Sequence, residues 1–152
     1  MLIRDATFED LPDVVGLAVE MHAESRFSVL SFNPDKVFDM MNWCIDNRDG
    51  LLLIAEDSNG ETVGAFAAYS LEHWFSNDRV SCDLGLFVRR DRRGSCAAVK
   101  LLKRYVQWAA CADCKLIEIG VNTGVNMEKT STFFEAVGFE KVGALHCYSG
   151  GI

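Results

Sequence analysis

Three textures alternate along the chain: apolar positions recurring every third or fourth residue, short continuous aliphatic runs, and polar clusters between them. Leu2–Ala6 reads as a short first strand. Thr7 then caps a helix with Glu9 and Asp10 in its first turn, and Leu11, Val14, Val15, Ala18 and Met21 form one apolar face. Asn33-Pro34 starts a second helix, cap then proline, running to about Asn47 with Val37, Met40, Met41 and Cys44 inward. Gly50–Glu56 is a buried strand, Asp57-Ser58-Asn59-Gly60 a hairpin turn, and Thr62–Tyr69 and Val80–Val88 are further strands. Ser95–Ala110 returns to the helical period, with Ala98, Leu101, Leu102, Tyr105 and Ala109 on one stripe. Lys115–Val121 predicts a strand, Met127–Val137 a helix stopped by Gly138, and Phe139–Tyr148 one or two short strands. The order β-α-α-β-β-β-α-β-α-β is that of a mixed α/β protein with a largely antiparallel front half. With no linker, repeat or low-complexity stretch, residues 1–152 are expected to form a single domain.

Composition agrees. At 49% hydrophobic and 24% charged, the chain has material for a core, and no apolar run approaches the roughly 20 residues of a membrane span. The start, Met-Leu-Ile-Arg-Asp, has no apolar leader, which makes the cytoplasm the expected location. A net charge of −7 argues against general nucleic-acid binding, which needs a basic footprint.

That charge is unevenly spread. Arg89-Arg90-Asp91-Arg92-Arg93-Gly94 carries +3, so the remainder of the chain sums to −10. A basic loop between a strand and a helix start is a recipe for holding an anion. The first helical amides lack intrahelical acceptors, the dipole adds positive charge, and Arg93 offers a guanidinium fork. The small residues after Gly94 let a ligand approach the backbone. A solvated basic loop packed by small residues is the plainer alternative. The phosphate loops GxxxxGKS/T and GxGxxG are both absent.

The six cysteines are expected to be reduced thiols packed as small hydrophobes. Cys111-Ala112-Asp113-Cys114 is a CxxC, but it closes a helix instead of opening one, and no second ligand pair exists for zinc, so no metal site is expected.

Together these residues resemble the GNAT (general N-acetyltransferase) superfamily, whose signature after a strand is Gln/Arg-x-x-Gly-x-Gly/Ala. Here it becomes Arg93-Gly94-Ser95-Cys96-Ala97-Ala98, with Cys96 where the family usually has glycine. Phe133-Phe134-Glu135-Ala136-Val137-Gly138-Phe139 is similar to a second family segment, FYEKxGF, and the element order matches over nearly the whole chain. The short length and Asn126-x-x-x-Thr130 are most similar to compact, phage-type members.

The resemblance implies a central mixed sheet splayed between its fourth and fifth strands and flanked by about four helices. It implies acetyl-coenzyme A as cofactor and direct transfer of the acetyl group to a primary amine, on a small molecule or a protein. Leu86, Phe87 and Val88 would pair with the pantetheine arm, and Gly94, Ser95, Cys96, Ala97 and Ala98 with the pyrophosphate beside Arg93. Asn126 and Phe133 would lie on the cofactor side. The family's usual acid, a tyrosine, is replaced by Phe134, leaving Tyr148, Cys96 or water to protonate the thiolate. Asp83 is the first choice of base. Strand alternation puts it on one face with Gly85 and Phe87, and Glu118 and His73 stand in reserve. The acceptor pocket would draw on Met21–Phe32, Phe75 and Cys147-Tyr148, and overall acidity favours a cationic amine. The chain stops soon after Tyr148, leaving the last strand short or missing, so a homodimer completing that edge is expected. The rival reading is a non-catalytic acyl-coenzyme-A or protein-binding module, favoured by Phe134 and Cys96.

Overall fold

The computed structural model describes residues 1–148; the last four residues of the predicted domain lie outside it. The chain forms β1 (Leu2–Asp5), α1 (Leu11–Glu24), α2 (Pro34–Asp46), β2 (Gly50–Glu56), β3 (Thr62–Glu72), β4 (Arg79–Val88), α3 (Ala97–Cys111), β5 (Cys114–Ile117) and α4 (Met127–Val137). The sheet order is β1-β2-β3-β4-β5, antiparallel except for the parallel pair β4 and β5. A parallel pair needs a crossover, and α3 supplies it.

Local chemistry sets these boundaries. Asn33 Oδ1 accepts the Lys36 amide at 3.1 Å, and Pro34 occupies the first helical position of α2. Asp57 Oδ1 accepts the Asn59 and Glu61 amides at 2.8 and 3.1 Å, fixing the β2–β3 turn. Gly138 ends α4 at φ 111°, a conformation glycine adopts without penalty.

The sheet is covered on both faces. Leu52, Ile54, Ala65, Ala67 and Phe87 pack beneath α1 and α2, against Leu11, Val14, Leu17 and Cys44. Leu53, Phe66, Ala68 and Val88 pack on the other face against Leu101, Leu102 and Tyr105 of α3 and Phe134 of α4. No helix among the described residues is long and apolar enough to cross a membrane.

Four expectations change. Met40 faces solvent and Phe38 packs on the core instead, because the inward stripe of α2 sits two residues earlier at that turn. Pairing of β5 ends at Ile117, not Val121, because β5 turns away from β4 there. Phe139–Tyr148 forms no strand; Val142 and Leu145 are exposed, and four-residue β5 offers little edge for them to pair with. Only Cys44 among the six free thiols is buried, its pKa raised to about 11 by burial; Cys96, Cys111 and Cys147 are exposed, since each sits at a helix end or in the irregular C-terminal segment.

Candidate active site

The register between β3 and β4 shifts at one residue: Ala68 pairs with Asp83 but Ala67 with Gly85. Leu84 is therefore an extra residue in β4, a β-bulge, and it overturns the expected alternation. Gly85 and Phe87 share the α1/α2 face with Cys82, whereas Asp83 lies on the α3/α4 face with Ser81, Leu86 and Val88.

Just below the bulge the parallel pair comes apart. The Glu118 amide donates to Ser81 O at 2.9 Å, and above that point Asp83 Oδ1 takes the Gly120 amide at 2.8 Å in place of a ladder bond. Tyr105, fully buried on α3, donates its hydroxyl to Glu118 O at 2.8 Å and lies 3.0 Å from Ser81 Oγ. One side chain from the helix thus pins both strands where they part. Arg89 donates its amide to Val63 O toward β3, so strand alternation turns the N–H and C=O groups of Leu86 and Val88 toward the gap left by β5. Burial raises the pKa of the Asp83 carboxyl, although the Gly120 amide works against this.

Beyond Val88 the chain enters the basic loop. Gly94 sits at φ 86°, which a side chain would strain, and Ser95 Oγ accepts the Ala97 amide at 3.4 Å. The first helical bond of α3 runs from the Lys100 amide to Cys96 O, so the amides before it have no helical acceptor. Exposed Cys96 and buried Ala97 flank this start. Arg93 donates from Nε to Val88 O at 3.0 Å and lies over the Phe87 ring at 5.3 Å.

The loop is not a bare cluster of charge. Arg93 and Arg90 both pair with Glu24, Arg92 with Asp57 at 3.2 Å, and Arg89 with Asp91 at 3.3 Å. Carboxylates from α1 and from the β2–β3 turn therefore balance the local excess.

The remaining sequence candidates divide. Glu118 is exposed beside Cys82, whose thiol lies 3.7 Å from Oε2. Burial, with help from Glu118, raises the Cys82 pKa and keeps it a thiol. Asn126 caps α4 in the left-handed region at φ 43°, and Phe133 packs beside Phe134 with centroids 5.7 Å apart. Phe134 is a core residue without a proton to give. Tyr148 is 80% exposed at the end of the described chain.

A splayed parallel pair followed by a glycine-bearing loop and a helix start is what the acetyltransferase family is built around. Residues 18–139 match the model of the Acetyltransferase (GNAT) family. The chain belongs to that family. No curated protein matches it in sequence. Among solved structures it is similar to the aminoglycoside 6'-N-acetyltransferase AAC(6')-Ih of Acinetobacter baumannii, with 17% identity, 99% of this chain and 98% of that one covered, and TM-score 0.75. A glucosamine-6-phosphate N-acetyltransferase of Arabidopsis thaliana gives 12% identity, 98% coverage of both chains and TM-score 0.74. AAC(6')-Iy, solved with a coenzyme-A bisubstrate analogue, gives 17% identity, 99% and 98% coverage and TM-score 0.79. As a GNAT member the protein is an acetyl-coenzyme-A-dependent N-acetyltransferase.

The residues present fit that cofactor. Gly94 leaves open space where a Cβ would stand, the helix start is uncapped by charge, and the backbone of Leu86 and Val88 is turned to the gap. The sequence reading missed Tyr105 and Gly120 as site residues, and placed Glu24 only within the acceptor segment Met21–Phe32, not with the basic loop. Tyr105 reads as one member of an apolar stripe, its hydroxyl the sole hint, and nothing local marks Gly120 or ties Glu24 to the arginines.

Proposed function

We propose that this GNAT enzyme acetylates a cationic primary amine by direct attack, with Glu118 taking the ammonium proton and Asp83 holding the gap open at its apex. The observation that carries this is the separation of β4 from β5 immediately above Ser81, with Leu86 and Val88 facing the space between them. Leu86, Phe87 and Val88 would hold the pantetheine arm, and Gly94 through Ala98 with Arg93 the pyrophosphate. The bound cofactor supplies the thioester that the amine attacks.

The bulge favours Glu118 over Asp83 as the base. Glu118 lies with Cys82 on the face that α1 and α2 cover, where the family's acceptor elements sit, whereas Asp83 points to the α3 face and already accepts the Gly120 amide. That demotes Asp83 from base to positioning residue. Phe134 supplies no proton, and exposed Tyr148 is too solvated to be reserved for the task, so the leaving group draws its proton from water.

A cationic acceptor is supported by the net charge of −7 and by the aminoglycoside acetyltransferases among the structural neighbours. Free thiols throughout suit the reducing cytoplasm. Among the described residues β5 has no partner on its outer edge, which with exposed Val142 and Leu145 supports a homodimer, to be checked by light scattering.

The decisive assay is thiol release from acetyl-coenzyme A over a panel of polyamines, aminoglycosides, aryl amines and lysine peptides. Release with cationic primary amines is the expected result. Cofactor binding without release above background would instead establish the non-catalytic module, the reading that buried Phe134 favours.

A further inference from the structure

Glu24 is a carboxylate in an unusual place. It is the last residue of α1, where the negative end of the helix dipole disfavours an anion, and its side chain is only 9% exposed. Burial pushes its pKa up, yet hydrogen bonds from Arg93 and Arg90 more than reverse this, and it titrates below the ordinary glutamate value. Oε1 takes Arg93 and Oε2 takes Arg90 Nε at 2.7 Å. Both guanidinium groups belong to the loop that follows β4.

Two residues on, the same segment grips the loop that follows β5. The Arg26 amide donates to Thr123 O at 2.8 Å, and its Nε donates to Asn122 O. Gly124, at φ 78°, allows Arg26 to lie close: a Cβ there would stand 3.4 Å from Arg26 Cβ. Since β4 and β5 are parallel, their following loops lie at the same end of the sheet. Residues 24–26 therefore strap together the two loops that border the mouth of the gap.

We propose that Glu24 is a positioning residue for cofactor binding. It holds Arg90 and Arg93 at the mouth in the free protein, in the role that a phosphate takes in the loaded one, and must yield Arg93 when pyrophosphate arrives. This rests on the cofactor placement given above. The carboxylate contributes to the stability of the free protein and competes with the ligand. Its removal therefore moves stability and affinity in opposite directions, which a merely structural residue does not do.

The test compares wild type, Glu24→Gln and Glu24→Asp by calorimetry with coenzyme A and with pantetheine, which lacks the pyrophosphate. Glu24→Gln is expected to melt lower without ligand yet bind coenzyme A about fivefold more tightly, with pantetheine affinity unchanged. Glu24→Asp, which keeps the charge, is expected to bind coenzyme A within about twofold of wild type. Equal or weaker coenzyme A binding by Glu24→Gln overturns the proposal, as does equal tightening toward pantetheine. In the wild-type protein, where folding is not in question, coenzyme A is expected to move the NMR titration of the Glu24 carboxyl to higher pH. An unmoved titration in the loaded protein also overturns it. Failure of wild type to bind coenzyme A at all is the separate result that removes the cofactor placement itself.

Discussion

Asp83 on β4 accepts the amide of Gly120 at 2.8 Å across the point where β4 and β5 separate, so one side chain stands in for a ladder hydrogen bond. Burial raises its folded pKa above the unfolded 3.8, so the native state holds this proton more tightly. The group therefore favours folding below the unfolded pKa and loses that contribution as pH rises through the raised value. Asparagine keeps an acceptor for Gly120 and removes the charge. Asp83→Asn is expected to melt above wild type at about pH 7, with the difference vanishing near about pH 3. A melting series across that range decides it.

The two carboxylates Asp83 and Glu118 make a kinetic prediction. Glu118→Gln is expected to lose about 100-fold in kcat. Asp83→Asn is expected to keep kcat near wild type and to act mainly on KM for acetyl-coenzyme A. The reverse pattern returns the base to Asp83.

Tyr105→Phe deletes the hydroxyl that joins Glu118 O and Ser81 Oγ in the core. Ser81 then loses a buried bond and Glu118 O a half-buried one, at a cost of about 1–3 kcal/mol by chemical denaturation. A change below roughly 0.5 kcal/mol would mean that the strands hold their separation without the helix.

Gly94→Ala tests backbone conformation alone, because open space surrounds the position a Cβ would occupy. At φ 86° an alanine is strained by about 1–2 kcal/mol. Relaxation of that strain would turn the loop amides away from the ligand. Weaker coenzyme A binding by calorimetry, with the fold intact by circular dichroism, is the expected outcome.

Asp10 offers a control remote from the gap. Hydrogen bonds from Arg4, at 2.7 Å to each oxygen, hold its pKa at about 2, below the unfolded 3.8. Its contribution is present above the unfolded pKa and is lost as pH falls through the folded one. Asp10→Asn is expected to be less stable than wild type at neutral pH, and the difference should close between about pH 4 and pH 2, by denaturation at each pH.

Elements with local punctuation were legible in the sequence. Asn33-Pro34 starts α2 and Gly138 ends α4 as read, because caps and left-handed stops are decided by a few adjacent atoms. The bulge at Leu84 was not legible. After Asp83 the strand carries apolar residues at both alternations (Leu84, Leu86 and Val88 on one, Phe87 on the other), so an inserted residue leaves no break in its pattern, yet it moves Asp83 to the opposite side of the sheet. The end of β5 was hidden likewise, since Lys115–Val121 keeps a strand-like composition past the point where pairing stops at Ile117. The loop chemistry was half legible: the arginines are adjacent in sequence, but the carboxylates that meet them come from residues 24 and 57.

Those long-range pairings matter before the protein is finished. Arg93 and Arg90 lie 69 and 66 residues from Glu24, and Arg92 lies 35 from Asp57. A chain whose α1 and β2–β3 turn have not yet docked displays a guanidinium cluster without the carboxylates that pair with it in the native molecule. Such a species binds polyanions that the folded, acidic protein repels. Nucleic acid carried through purification is thus a signature of the unfinished fraction, and a salt-resistant, nucleic-acid-free peak that of the native one.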